Sequence, residues 1–320
     1  MRVSVSYNSI GAFLKRNFQM PDFTAYARQP VPIVVAQYLV RFFYIALLFI
    51  SMLLFPDWWD TSFVTQSTIA PFWPTSWVPL VNPTLAVYAI RLLFIFGATA
   101  AAIFPENRLA RIFAFLGLIE FVSLYMSFWK IDADFYPWVA VSFLLIFLPS
   151  LKEVDVNDVE SKAKFLLALW ASQTIIVLGY TMGAVGKIVH SIPAFWYGQA
   201  HSFSIDAAAL HIADRLLTTN STSVFGPMVI EYPLLGWPFF VGAIYLMFFA
   251  ILTSFRLPLQ RLVGIGLILY HIAAYLTMNI GFTANVLLIA ILFLNSPFRD
   301  SRISWREILA QVPLLGWIMK

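Results

Sequence analysis

Ile33–Phe55 reads IVVAQYLVRFFYIALLFISMLLF, an apolar run broken by a single charge, Arg41. A helix rises about 1.5 Å per residue, so a run of this length crosses the roughly 30 Å hydrocarbon core of a bilayer. Similar runs follow at Thr84–Phe104, Leu109–Trp129, Tyr136–Leu148, Phe165–Val189, Leu234–Phe255, Leu262–Ile280 and Phe282–Leu294, with Tyr136–Leu148 and Phe282–Leu294 the short ones. Composition agrees: of 320 residues, 61% are hydrophobic and 11% charged, whereas about a quarter of a soluble domain is charged. The expected fold is all-α: a polytopic integral membrane helical bundle of about eight transmembrane helices plus amphipathic interfacial helices. Residues 1–32 read as a cytoplasmic amphipathic segment, 33–298 as the transmembrane domain and 299–320 as a cytoplasmic interfacial helix.

Lysine and arginine collect in the short cytoplasmic loops of membrane proteins. With the N-terminus inside, one side holds Arg2, Lys15, Arg16 and Arg28; Arg108 and Arg111; Lys152, Lys162 and Lys164; Arg256 and Arg261; and Arg299, Arg302, Arg306 and Lys320. The other side holds only Lys130 and Arg215. The net charge of +4 therefore marks topology and implies no nucleic-acid partner. Both termini are expected in the cytoplasm, and no secretory cleavage pattern opens the chain. Cysteine is absent, which excludes thiolate nucleophiles, iron–sulfur clusters and disulfides, and no metal site is expected. Trp58, Trp59, Trp73 and Trp77 suit the headgroup level of an outer loop, Pro56–Pro83. A helical stretch, Ser204–Leu217, lies in the outer segment His190–Pro233 and is expected to cap a cavity.

Ionisable groups inside spans are costly and mark functional or interhelical sites. These are Arg41, Arg91, Glu120, Lys187 and His271. For Arg91 and Glu120 a structural ion pair competes with a place in a cavity. For His271 an interhelical hydrogen bond competes with a functional role. Gly179, Gly183 and Gly186 form a smooth strip that lets another helix approach closely. At the end of that helix Lys187 and His190 share a face; burial there favours the neutral amine, a base, whereas snorkelling to the headgroups leaves only a topology marker.

Tyr180, Ala184 and Lys187, followed by Trp196, Gly198 and Ala200, resemble the signature Tyr-x-x-Ala-Gly-x-x-Lys, Trp-x-x-Gly of the HTTM family, related to vitamin K-dependent gamma-carboxylase. The resemblance extends to the multiple spans, the inner N-terminus and the histidine of the penultimate span, His271. It implies that Lys187 is the base that initiates oxidation of a reduced, vitamin K-type quinone, with His190 beside it. Tyr180, Trp196, Gly198, His201, His271, Arg91 and Glu120 would line the cavity for substrate and cofactor. In the carboxylases the strong base so produced takes a proton from a peptide glutamate before carbon dioxide adds. Where those enzymes carry a histidine before the fourth span, this chain reads Asp132-Ala133-Asp134-Phe135-Tyr136-Pro137. With only a short tail after the helices, the chain is similar to standalone bacterial members that work beside partner proteins in maturing a secreted toxin peptide.

The expectation is a multi-pass protein of the bacterial inner membrane that modifies or helps mature an exported peptide at an outer-facing cavity, beside neighbouring maturation proteins. The alternative is a non-enzymatic scaffold that binds an exported peptide or neighbouring membrane protein through the glycine strip. A transporter would call for paired broken helices or an inverted repeat, and the sequence offers neither.

Overall fold

The computed structural model describes residues 18–54, 70–128, 134–149, 158–298, 305–309 and 311–313. Among them the chain is helices, turns and bends with no strand: α1 Phe23–Ala27, α2 Pro30–Leu54, α3 Pro83–Ile103, α4 Arg108–Phe128, α5 Tyr136–Leu145, α6 Val159–Trp196, α7 Ala207–Thr218, α8 Gly226–Glu231, α9 Pro233–Phe249, α10 Gln260–Met278, α11 Thr283–Ile289 and α12 Trp305–Leu309. Six helical segments are long and apolar enough to cross a membrane: Pro32–Ile50, Pro83–Ile103, Arg108–Ser127, Val159–Trp196, Pro233–Ser254 and Leu257–Met278. The protein is an all-α, multi-pass membrane protein. The two short runs of the sequence are the short helices here, Tyr136–Leu145 and Thr283–Leu294; at about 1.5 Å per residue each covers only part of a hydrocarbon core.

The described residues form two compact units, one of Phe23–Ile175 and the other of the residues from Ile176 onward together with 18–22; α6 belongs to both. In the first unit, α3 and α4 pack backbone against backbone. A Cβ on Gly97 would lie 2.6 Å from the Phe113 carbonyl carbon, and one on Gly117 only 2.4 Å from the Phe94 Cα. Phe94 stacks on Phe121 across the same pair, at 5.0 Å between ring centroids. Pro83 starts α3, where its missing N–H goes unneeded, and Asn82 Oδ1 accepts from the Leu85 amide. Asn107 does the same for the amides of Leu109 and Ala110 at the head of α4.

Arg111, which the charge count assigns to an inner loop, is 1% exposed. Its guanidinium donates to the carbonyls of Pro105, at 2.5 Å, and Leu148, at 2.6 Å. It thus satisfies carbonyls left open where the helical backbone ends. Ser127, near the end of α4, holds the described part of the long loop: its carbonyl accepts from the Ala70 amide, and its hydroxyl accepts from the Phe72 amide and meets Thr75 Oγ1.

In the second unit, α9 gives way to a 3-10 turn at Ala250–Ser254. The Thr181 hydroxyl of α6 enters that break, donating to the Met247 carbonyl and accepting from the Ile251 amide. Those are the two groups that a continuous α-helix would pair with each other. The helix read at Ser204–Leu217 is present as α7; its Ala208 and Ile212 form a cluster with Val229, packed by Leu216, Phe240 and Met278. Past α12, Arg256 and the Tyr245 hydroxyl donate to the carbonyls of Gln311 and Pro313. The readings at residues 1–17 and 314–320 lie outside the described residues.

Within the chain the glycine strip is largely open. Gly183 would place a Cβ 3.4 Å from the Met247 methyl, while Gly179 and Gly186 have nothing within 4 Å. Close helix approach occurs at Gly97 and Gly117 instead. Substitution should separate the two kinds of site. Gly117→Ala should lower stability by about 1–3 kcal/mol through overpacking, whereas Gly179→Ala should raise it slightly by removing a flexible residue from a helix. Thermal unfolding in detergent checks both signs.

Candidate functional site

Lys187 stands on α6 seven positions beyond Tyr180, two helical turns or about 10 Å along the same face. Ala184, between them, is fully buried. The Tyr180 hydroxyl and His271 Nε2 of α10 are 2.5 Å apart. His271 is 4% exposed, and its other nitrogen, Nδ1, is buried with no hydrogen-bond partner. Its ring lies against those of Tyr180, Tyr270 and Phe282, with centroids 5.7, 5.1 and 4.8 Å away. A buried, half-satisfied imidazole inside an aromatic wall is costly to maintain.

A second polar group surrounds Lys187, which is itself half-buried. The Lys187 carbonyl accepts from the Ser191 hydroxyl at 2.7 Å and from the Ser202 hydroxyl at 3.4 Å, while Ser191 Oγ accepts from the Ser202 amide at 3.1 Å. The loop that carries His201 is thereby stapled to the turn that carries Lys187, and Trp237 Nε1 fastens it again through the Phe203 carbonyl.

For the neutral imidazole, the hydrogen bonds select complementary tautomers at His190 and His201. His190 Nδ1 lies 2.7 Å from the Gly186 carbonyl. A carbonyl only accepts, so Nδ1 carries the proton and Nε2 keeps a free lone pair. His201 Nδ1 accepts from the Phe203 amide at 3.2 Å, leaving the proton on Nε2. The site therefore offers an imidazole acceptor one turn beyond Lys187 and an imidazole donor in the loop stapled to that turn.

His211, which sequence reasoning passed over, joins this group from α7, its ring 5.4 Å from that of Phe240. Burial, reinforced by the Lys187 ammonium and opposed by Asp214, holds its imidazole below the usual histidine value. The only sequence signal was its place on an amphipathic outer helix. Among the described residues no three histidine or acidic side chains are grouped to hold a metal ion.

The remaining residues singled out in the sequence have other surroundings. Trp196 is 83% exposed at the end of α6. Gly198 has φ +65° and ends α6, with the Gln199 amide on the Ala194 carbonyl and its own amide on that of Phe195, the paired bonds of a Schellman ending. Arg91 and Glu120 belong to the other unit: Arg91 is buried on α3, and half-buried Glu120 accepts from Trp77 Nε1 at 3.2 Å. Arg41 is exposed on α2.

Comparison with protein-family models, with curated proteins and with solved structures finds no match for this chain.

The coupling of Lys187 to His211 is open to direct measurement. Lys187→Gln should move the His211 titration upward, as read by NMR of histidine-labelled protein in detergent; an unmoved titration would show that the charge does not reach it. The sign of the accompanying stability change also follows. Unfolded, His211 takes up a proton near pH 6.5, but folded it does so only at lower pH. The unfolded state binds more protons in that window, so the His211 contribution to stability falls as pH drops below about 6.5.

Proposed function

We propose that this chain is an HTTM-type membrane protein that modifies an exported peptide by base chemistry at the Lys187 end of α6. The observation that carries the reading is the hydrogen bond between Tyr180 and His271. The family resemblance marks both residues, and they meet although they lie 91 positions apart. Lys187 stands two turns from this pair on the same helix face, with His190 and His201 on or beside its turn.

In this reading Lys187 is the proton acceptor, and the Nε2 lone pair of His190 and the Nε2–H of His201 accept and return protons around it. The residues at His271 suit a reduced quinone. Three aromatic rings flank the imidazole, and its unpartnered Nδ1 fits an oxygen that is a hydroxyl when reduced and a carbonyl when oxidised. When bound, such a quinol would be oxidised by dioxygen, which takes up its two electrons, and the basic oxyanion so formed would remove the glutamate proton. The γ-carbon loses that proton, and the electron pair left behind forms the bond to carbon dioxide. The peptide leaves one carboxyl group heavier. The site would face the outer side of a bacterial inner membrane, beside neighbouring maturation proteins.

A second reading is favoured by one observation, the open faces of Gly179 and Gly186. They suit docking of a partner helix, with this chain as a non-enzymatic subunit.

Single substitutions separate the two. Lys187→Arg keeps a cation that does not deprotonate and should abolish modification while leaving membrane levels unchanged. Mass spectrometry of exported peptides is the readout: a species heavier by one carbon dioxide with wild type, and absent with Lys187→Arg, supports the enzyme. For the docking role, Gly186→Leu should release the partner in co-purification while Lys187→Arg retains it. Identical peptide masses together with normal assembly in Gly186→Leu would remove both readings.

A further inference from the structure

Arg41 is exposed on α2. It lies nine residues from either end of the span Pro32–Ile50, so about 13–14 Å of helix separates it from each face of a hydrocarbon core roughly 30 Å thick. It shares a face with Val34, Tyr38 and Ile45, all exposed, at the helical spacings i, i+4, i+7 and i+11. An arginine at that depth ordinarily faces the interior of a bundle or a watery cavity. Here it faces outward, and it is not near a helix end, from which long cations snorkel to the headgroups.

The opposite charge stands on α4. Glu120 is half-buried and continues the exposed row Leu109, Phe113 and Leu116 at the same four spacings. Of the 16 acidic residues, it alone falls inside a membrane-length helix beyond the first turn. Consecutive spans alternate in direction, so α2 and α4 start from the same face of the membrane. Glu120 is twelve residues from the start of its span at Arg108. That is about 18 Å of helix, which puts the two charges within about 4–5 Å of one depth.

No ion pair joins Arg41 and Glu120 within one chain. Glu120 accepts from Trp77 Nε1 through Oε2 at 3.2 Å, which leaves Oε1 for another donor. A second copy is inserted in the same direction, and rotation about the membrane normal keeps every residue at its own depth. It therefore brings a carboxylate to Arg41 and a guanidinium to Glu120 at one level. Contact of α2 with α2 would set two arginines against each other, so α2 of one copy lies along α4 of the other. Both charges are then paired, and the flanking apolar side chains supply the packing that association inside a bilayer requires.

We infer that the Arg41 face of α2 and the Glu120 face of α4 are the two halves of an intramembrane interface with a second copy of this chain, a two-fold dimer held by reciprocal Arg41–Glu120 pairs. None of the residues of the proposed base chemistry takes part, and the interface stands independently of that reading.

The test uses the full chain, labelled at its C-terminus and reconstituted in phosphatidylcholine vesicles over a range of protein densities, with the copies per complex counted by stepwise photobleaching. Wild type should form dimers that dissociate on dilution. Arg41→Leu puts an apolar side chain on a face open to lipid, which leaves the single chain intact, and it should weaken the dimer by about 10–100-fold. Arg41→Glu and Glu120→Arg should each do the same, and the two together should restore it, because the charges have only changed places. Wild type that is monomeric at every density overturns the inference. So does Arg41→Leu that dimerises as wild type does, which would leave Arg41 to lipid headgroups and the dimer to another surface, and so does a double reversal that folds but stays monomeric. Should the reversals not fold, Arg41→Leu and Glu120→Gln decide: weakening by both supports the pair, and an unchanged dimer in either overturns it.

Discussion

A backbone amide or carbonyl within hydrocarbon finds no water, so a membrane-spanning chain must supply a partner wherever a helix is interrupted. Thr181 places one hydroxyl between the Met247 carbonyl and the Ile251 amide, and α9 can then tighten into a 3-10 turn without leaving either group bare. Arg111 does the same with two arms where α5 ends and before α4 begins, and Ser127 serves the loop that returns over α4. Within α6, Ser191 and Ser202 share the Lys187 carbonyl. The breaks after α5 and in α9 are closed by side chains of other helices, so the break positions and the tertiary fold depend on one another.

The same constraint gives the candidate site its character. At Thr181, Ser127, Ser191 and Ser202 the backbone takes up the small hydroxyl and leaves little for chemistry. Tyr180 and His271 are different: they satisfy each other and leave the His271 Nδ1 unspent in an apolar wall. Around Lys187 the serines bind the carbonyl rather than the ammonium, whose charge acts on the His211 imidazole. Unspent polar capacity in a buried setting is what distinguishes these places from ordinary packing.

Helix positions were legible because they follow from summed apolarity over about twenty residues, a property that neighbours do not change. The short runs at Tyr136 and Phe282 were legible as short for the same reason. The amphipathic stretch at Ser204 was readable too, since the spacing of Ile205, Leu210 and Ile212 needs only helical geometry. Glycine roles were not. Gly179, Gly183 and Gly186 repeat at helical spacing yet meet almost nothing, whereas Gly97 and Gly117, 20 positions apart and in no motif, carry the closest backbone contact described. Spacing tells which residues share a face but not what that face meets.

Charge shows the same division. The sequence determined that the chain is a helical membrane protein, because transfer of apolar side chains into lipid is decided residue by residue. It also singled out Lys187 and His271, since an ionisable side chain in an apolar run is costly wherever it points, and Tyr180 through the family resemblance. Only the tertiary structure decided that Tyr180 reaches His271, that His211 feels Lys187, that Trp77 donates to Glu120, and that Arg111 is a buried clamp. Those are pairings, and a pairing depends on the positions of two segments at once, which packing alone sets.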